Sequence, residues 1–244
     1  MKPNRYLRVL LFAFVLLVAA VALKFPLVER IGLSAQKLKG QKSVADRVAE
    51  YGSNARSRVA PDFAKAEIAY PPARVWLVCI KAEKRLELYA AGAKGPVRFI
   101  KKWGVLAASG ELGPKLREGD YQVPEGIYPI ELLNPNSSYH LSLRVNYPNV
   151  FDREQTRQEG RANLGGDIMI HGKSVSIGCI AIGDPAIEEV FVLGADVGIK
   201  NITVILTPVD FRRGKSLPKD SKLPPWTGQL YEQIKTNLAL LPQP

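Results

Sequence analysis

From Arg74 onward the apolar residues come in short runs, several alternating with polar ones, and this spacing predicts strands. The stretch RVWLVCIKAEKRLELYA (74–90) reads as two strands joined at Ala82-Glu83-Lys84, with Leu86 and Leu88 alternating against charged neighbours. VRFIKKWGVLAAS (97–109), GIYPIELL (126–133), YHLSLRV (139–145), GGDIMIHG (165–172) and NITVILTPV (201–209) continue the pattern. Between them lie Gly-, Pro-, Asn- and Asp-rich loops, notably SGELGPKLREGDYQVPEG (109–126) and NPNSS (134–138). No internal repeat is present.

Three segments read as helical. In SVADRVAEYGSNARSRV (43–59), Val44, Val48 and Tyr51 are helix-spaced, and Gly52 predicts a short or broken helix inside a connector at 24–70. Pro71-Pro72 then closes the connector. Asp184 as cap, Pro185 in the first turn and the stripe Ile187, Val190, Phe191 predict a helix ending at Gly194 or Gly198. After a Pro-rich segment, WTGQLYEQIKTNLALL (226–241) spaces Trp226, Leu230, Ile234 and Leu238 four apart, an appended helix within 214–244.

The N-terminus changes the setting. Lys2, Arg5 and Arg8 precede an uncharged run from Val9 to Leu23, with Ala20-Val21-Ala22 as a small-residue cleavage pattern. Residues 1–23 therefore predict a signal peptide or an N-terminal membrane anchor, and an exported, periplasmic body, held at the inner membrane if the segment is uncleaved. Apolar residues make up 46% of the 244, enough for a core, while 18 prolines and 20 glycines suit a body with many turns. The 34 Lys and Arg exceed the 23 Asp and Glu but never run longer than two together, which excludes a nucleic-acid-binding arm. The diffuse positive field suits an anionic polymer or a membrane surface.

Only two cysteines and two histidines occur in the chain, and one of each falls in IMIHGKSVSIGCIAIGD (168–184). Cys79, inside a strand-like run, reads as an inert buried thiol, and Cys179 as a free reactive one rather than as its disulfide partner. A Cys after Gly and a His at a strand end are each ordinary core residues when taken singly. Together, a hairpin-like connection through Gly172–Val175 would bring His171 to Cys179. A thiol with a pKa of about 8.5 needs such a base to become a nucleophile. Gly172 or Asp167 would orient the imidazole, and the amides of Gly178 and Cys179 would hold an oxyanion, each donor worth about 3 kcal/mol. Zinc held by His140, His171, Cys179 and Asp167 lacks the short ligand spacing of such sites. Ser174 or Ser176 as nucleophile lacks the strand-to-helix elbow, and Glu118 with Asp120 does not form a glycosidase pair.

At His171-Gly172 and Ser176-Ile177-Gly178-Cys179 the chain resembles the L,D-transpeptidase catalytic domain (YkuD) family, whose signature is His-Gly followed by Ser-His-Gly-Cys. Ile177 stands where the second His is usual, and the spacer is short. Both departures, with similarity in 109–130, 133–154 and PWTGQLYEQIK, point to a branch that includes a murein-lipoprotein-releasing amidase. The resemblance implies a mainly β, sandwich-type catalytic domain at 71–213, with a short helix after the cysteine strand. It implies Cys179 as nucleophile, His171 as base, the Gly172 carbonyl orienting the imidazole and Gly178 as an oxyanion amide. Ser176, His140 and Ser142 are expected along the substrate groove. The implied substrate is the diaminopimelate-bearing stem peptide of peptidoglycan, with a wall-linked lipoprotein as a further partner and no cofactor or metal. The implied reaction is transpeptidation through a thioester, with hydrolysis of the same bonds or of the lipoprotein link as the alternative.

Overall fold

The computed structural model describes residues 40–217 and 223–244. The expected leader at 1–23 lies outside the described residues. The chain divides into Met1–Lys42 and a compact unit, Ser43–Pro244, and the architecture below is that of the second.

Helix α1 (Val44–Lys65) opens the unit. Ser43 caps it reciprocally with Asp46: the Ser43 hydroxyl accepts from Asp46 N at 3.1 Å, and the Asp46 carboxylate accepts from Ser43 N at 2.7 Å. The expectation of a short, broken helix in a connector is corrected, since α1 runs unbroken for 22 residues through Gly52 and Pro61. Gly52, Ala55, Val59 and Phe63 form its buried stripe. That tertiary burial outweighs the roughly 1 kcal/mol that an interior glycine costs.

The strands are β1 (Arg74–Ile80), β2 (Arg85–Ala91), β3 (Arg98–Gly104), β4 (Ala107–Ala108), β5 (Gly126–Asn134), β6 (Ser142–Val145), β7 (Met169–His171), β8 (Ile180–Ala181) and β9 (Ile202–Thr207). They form one mixed sheet in the order β3-β2-β1-β9-β5-β6-β7-β8-β4. The β1–β9 and β7–β8 pairs are parallel and the others antiparallel. Strand β5 belongs to both halves: Gly126–Pro129 pair with β9, and the pairing with β6 begins at Ile130, with a register irregularity between Ile130 and Leu132. Such a bulge bends a strand. The two edge strands, β3 and β4, are joined by only Val105 and Leu106, so the sheet must curl to bring one end of each within a two-residue link. The expected sandwich is thus two halves of one continuous sheet. Leu77, Leu88, Val204, Leu143, Ile170 and Ile180 from both halves meet in a single core.

Helix α3 (Asp184–Val197), two residues after β8, buries Ile187, Val190, Phe191 and Leu193 in that core and stops at Gly198. Between β6 and β7, α2 (Val150–Gln158) is capped by Asn149 and Asp152. Helix α4 (Thr227–Leu238) packs Leu230, Tyr231, Ile234 and Leu238 with Val78, Ile80, Tyr89 and Ile205 in a second cluster. Strands β1 and β2 are therefore covered on both faces, which corrects the simple alternation expected around Leu86 and Leu88. Glu87 is fully buried, and its carboxylate accepts from Arg85 Nε at 2.6 Å, Arg212 Nη2 at 2.7 Å and Tyr89 Oη at 2.6 Å. A charge survives in that position only with such partners.

Candidate active site

Strand register assembles the site. Ile170 pairs with Ile180 and His171 with Ala181, while Ser142 stands opposite His171 on the other side. Ile170 and Ile180 point into the core. By the two-residue period of a strand, His171 and Cys179 then lie on the opposite face, Cys179 one residue before β8 begins. The connecting loop is pinned at each end. His171 O accepts from Ile182 N at 2.9 Å, Gly172 N donates to Tyr139 O at 3.1 Å, and Lys173 O accepts from Gly183 N at 3.1 Å.

His171 is 2% exposed, and its Nδ1 lies 2.7 Å from the Gly172 carbonyl. A carbonyl only accepts, so Nδ1 carries the proton and Nε2 keeps its lone pair. Tyr139 covers the ring, with centroids 4.6 Å apart. Burial lowers the imidazole pKa below its ordinary 6.5, against the Gly172 hydrogen bond that raises it. Gly172 has to be glycine, because a Cβ there would lie 2.5 Å from Asp184 Oδ1 and 2.8 Å from the Tyr139 carbonyl.

Cys179 is half-buried at the edge of a cleft of about 260 Å³ that Lys115, Gly119, Tyr121, Gly166 and Asp167 also line. Its Sγ donates to the Asp167 carbonyl at 3.5 Å. Among the described residues no hydrogen bond joins Sγ to His171. Burial raises the thiol pKa above its ordinary 9.0, and the Asp167 charge adds to this; the Met169 amide and the Lys115 ammonium pull the other way. Both shifts favour the uncharged forms, an imidazole able to accept a proton and a thiol able to give one up.

The turn before the thiol closes on itself. Ser176 Oγ accepts from Cys179 N at 2.9 Å and donates to Cys179 O at 2.6 Å. Gly178, at φ +90°, donates its N–H to Ser109 Oγ at 2.5 Å, and Ser109 donates on to Tyr121 O at 2.7 Å. Both amides expected to hold an oxyanion are thus engaged by serine hydroxyls, and Ser176 serves the turn rather than an open groove. The cleft wall is ordered by Asp120, whose carboxylate accepts from Leu116 N, Arg117 N and Gln122 N at 2.9, 3.0 and 3.1 Å and from Lys115 Nζ. Burial opposes ionisation there, but the Lys115 ammonium and the three amides hold the carboxyl below its usual range. Behind the wall, the buried Glu125 accepts from Lys81 Nζ at 2.9 Å, Gly113 N at 2.7 Å and Tyr231 Oη at 2.8 Å.

His140 and Ser142 do not share a strand face along a groove. His140 precedes β6 with φ +74°, donates from Nε2 to Glu188 at 3.0 Å and packs edge-on to Tyr51 at 5.0 Å, between α1 and α3. Ser142 is buried against Met169, its Oγ 3.8 Å from the sulfur. The Asp167 carboxylate is turned outward to Arg144 at 3.1 Å, so Gly172 and not Asp167 meets the imidazole. Cys79 is fully buried and its thiol is pushed up to about 12 by burial; both thiols are free. Ser109, Lys115 and Tyr139 are the site residues that sequence reasoning missed. They reach it through loop closure and the β4–β8 pairing, which no local pattern encodes.

The Escherichia coli (strain K12) protein named "Putative L,D-transpeptidase YafK" is 34% identical over 119 residues, 48% of this chain and 46% of its own length. The chain thus spans about half the length of the curated relatives it matches. Among solved structures, the helical cell shape determining protein Pgp2 from Campylobacter jejuni is 25% identical, with a TM-score of 0.46 over 56% of this chain and 48% of that one. L,D-transpeptidase 1 of Mycobacterium tuberculosis is 14% identical, with a TM-score of 0.32 over 55% and 62%. Residues 74–203, more than half of the sequence, match the family model of the L,D-transpeptidase catalytic domain (YkuD), and the chain belongs to that family.

Proposed function

We propose that the protein is a periplasmic, cysteine-dependent L,D-transpeptidase acting on diaminopimelate-containing stem peptides of peptidoglycan. The observation that carries this reading is the imidazole of His171: Nδ1 is tied to the Gly172 carbonyl, and Nε2 is left as a base on the sheet face of Cys179. A substrate carbonyl entering the cleft draws Sγ away from the Asp167 carbonyl. The thiol proton passes to His171 Nε2 as sulfur bonds to the carbonyl carbon. The amides of Gly178 and Cys179 turn from their serine partners to the oxyanion, a charged and therefore stronger acceptor. Collapse expels the leaving amine, which takes the proton from His171, and a thioester on Cys179 remains.

An amine of a second stem peptide, or of a wall-linked lipoprotein, then resolves the thioester. Water in the same role would make the protein an amidase. Ile177, 73% exposed, and Tyr121, 61% exposed, border an open cleft and supply the access that reading requires. Residues 1–23 would export the chain or hold it at the inner membrane.

Muropeptide profiles of cells lacking the protein, complemented with wild type or with Cys179→Ala, test the proposal. New cross-links between diaminopimelate residues that depend on Cys179 support transpeptidation. Cys179-dependent loss of lipoprotein-linked or cross-linked stems assigns hydrolysis instead. Profiles that are identical for wild type and Cys179→Ala reject both.

A further inference from the structure

We infer that Asp184 is a positioning residue for the base, acting through the His171-Gly172-Lys173 backbone. This deepens the reading above and rests on it for the catalytic role of His171. Asp184 is the first residue of α3, a helix of 14 residues packed into the core. Its Oδ1 accepts the Lys173 amide at 2.7 Å, and a Cβ on Gly172 would sit 2.5 Å from the same oxygen. The carboxylate is therefore packed directly on the Gly172-Lys173 peptide, whose carbonyl is the one that His171 Nδ1 meets at 2.7 Å.

The remaining polar groups of the segment have other partners. His171 O takes Ile182 N, Gly172 N is shared between Tyr139 O and Leu141 O, and Lys173 O takes Gly183 N. Asp184 supplies the side-chain bond to the Lys173 amide, at a non-glycine residue with φ +55° whose own Nζ donates to Ser138 O at 2.8 Å. That conformation is costly for a lysine and persists where surrounding bonds impose it. Without the Asp184 bond, Lys173 relaxes toward negative φ, the Gly172 carbonyl turns, and Nδ1 loses its acceptor.

A helix-starting acid could also be present only for the macrodipole, and two variants separate the roles. Asp184→Asn removes the charge and keeps an oxygen for the Lys173 amide; Asp184→Ala removes both. The direct readout is the tautomer of His171 by ¹⁵N NMR of histidine-labelled protein. With only two histidines in the chain, a His140→Gln variant completes the assignment. Wild type and Asp184→Asn are expected to hold the proton on Nδ1, and Asp184→Ala to show a mixture of tautomers. On a stem-peptide substrate, Asp184→Ala should lower kcat by about 10- to 100-fold with KM little changed, within the ~10²–10⁴ a general base contributes. Asp184→Asn should stay near wild type.

A folded Asp184→Ala protein that keeps a single Nδ1-protonated tautomer overturns the inference. So does an Asp184→Asn protein as disturbed as the alanine variant, which would assign the effect to charge. If the catalytic reading itself is wrong, wild type shows no Cys179-dependent turnover while the tautomer comparison still decides the role of Asp184.

Discussion

At the scale of single residues, the site is a thiol and an imidazole arranged by backbone groups. Gly172 is a tight point, since a methyl there meets the Asp184 carboxylate and the Tyr139 backbone carbonyl. Gly172→Ala should lose about 1–3 kcal/mol in denaturant unfolding, the usual cost of overpacking, together with nearly all turnover. The two thiols should separate on alkylation of the folded protein: Cys179 labels, and Cys79, fully buried with its pKa near 12, labels only after unfolding. The shift at His171 fixes the pH signs. Its folded pKa is depressed, so the neutral base persists below pH 6.5 and the acidic limb of kcat/KM should lie under that value. The same shift adds stability above 6.5 that is lost as pH falls through the folded pKa. Urea titrations across this window, compared with His171→Gln, check the sign. Cys179, His171 and Gly172 were legible because rare residue types sit at strand ends beside glycine. Ser109 and Tyr139 were not, because a common serine and a common tyrosine gain meaning only from what folds against them.

Among the elements, legibility followed burial pattern. The longer strands, α3 and α4 announced themselves through apolar spacing and turn residues, and the two-residue β4 and β8 did not. Helix α2 did not, because VFDREQTRQ has no apolar stripe and is fixed by the Asn149–Asp152 capping box. Helix α1 was under-read at Gly52, where the stabilising contacts come from α3: Arg56 forks onto Asp196 at 2.8 and 2.7 Å, and Arg58 bridges Glu188 and Glu189, each at 2.8 Å. The loop walling the cleft depends on Glu125, which joins Lys81 just after β1, the loop and α4. Glu125→Ala would leave the Lys81 ammonium with two backbone carbonyls but no counter-ion, and the buried Gly113 amide without its acceptor. An expected loss of about 3–5 kcal/mol, read as a lower denaturant midpoint at an unchanged slope, checks this.

At the scale of the whole molecule, one curled sheet explains why distant segments share a site. The bend in β5 and the two-residue link from β3 to β4 bring residue 109 against residue 178 and the 109–125 loop beside the thiol. The longer strands and the signature residues were legible locally, whereas the closure is a property of pairing order. Every step of the proposed reaction runs through Cys179 Sγ, and peptide mass spectrometry addresses it directly. Purified protein is mixed with a diaminopimelate-containing tetrapeptide, quenched in acid and digested. The expected result is a hydroxylamine-labile acyl adduct on the peptide containing Cys179, absent from Cys179→Ala. Undiminished turnover by Cys179→Ala, or an adduct on another residue, would contradict the account.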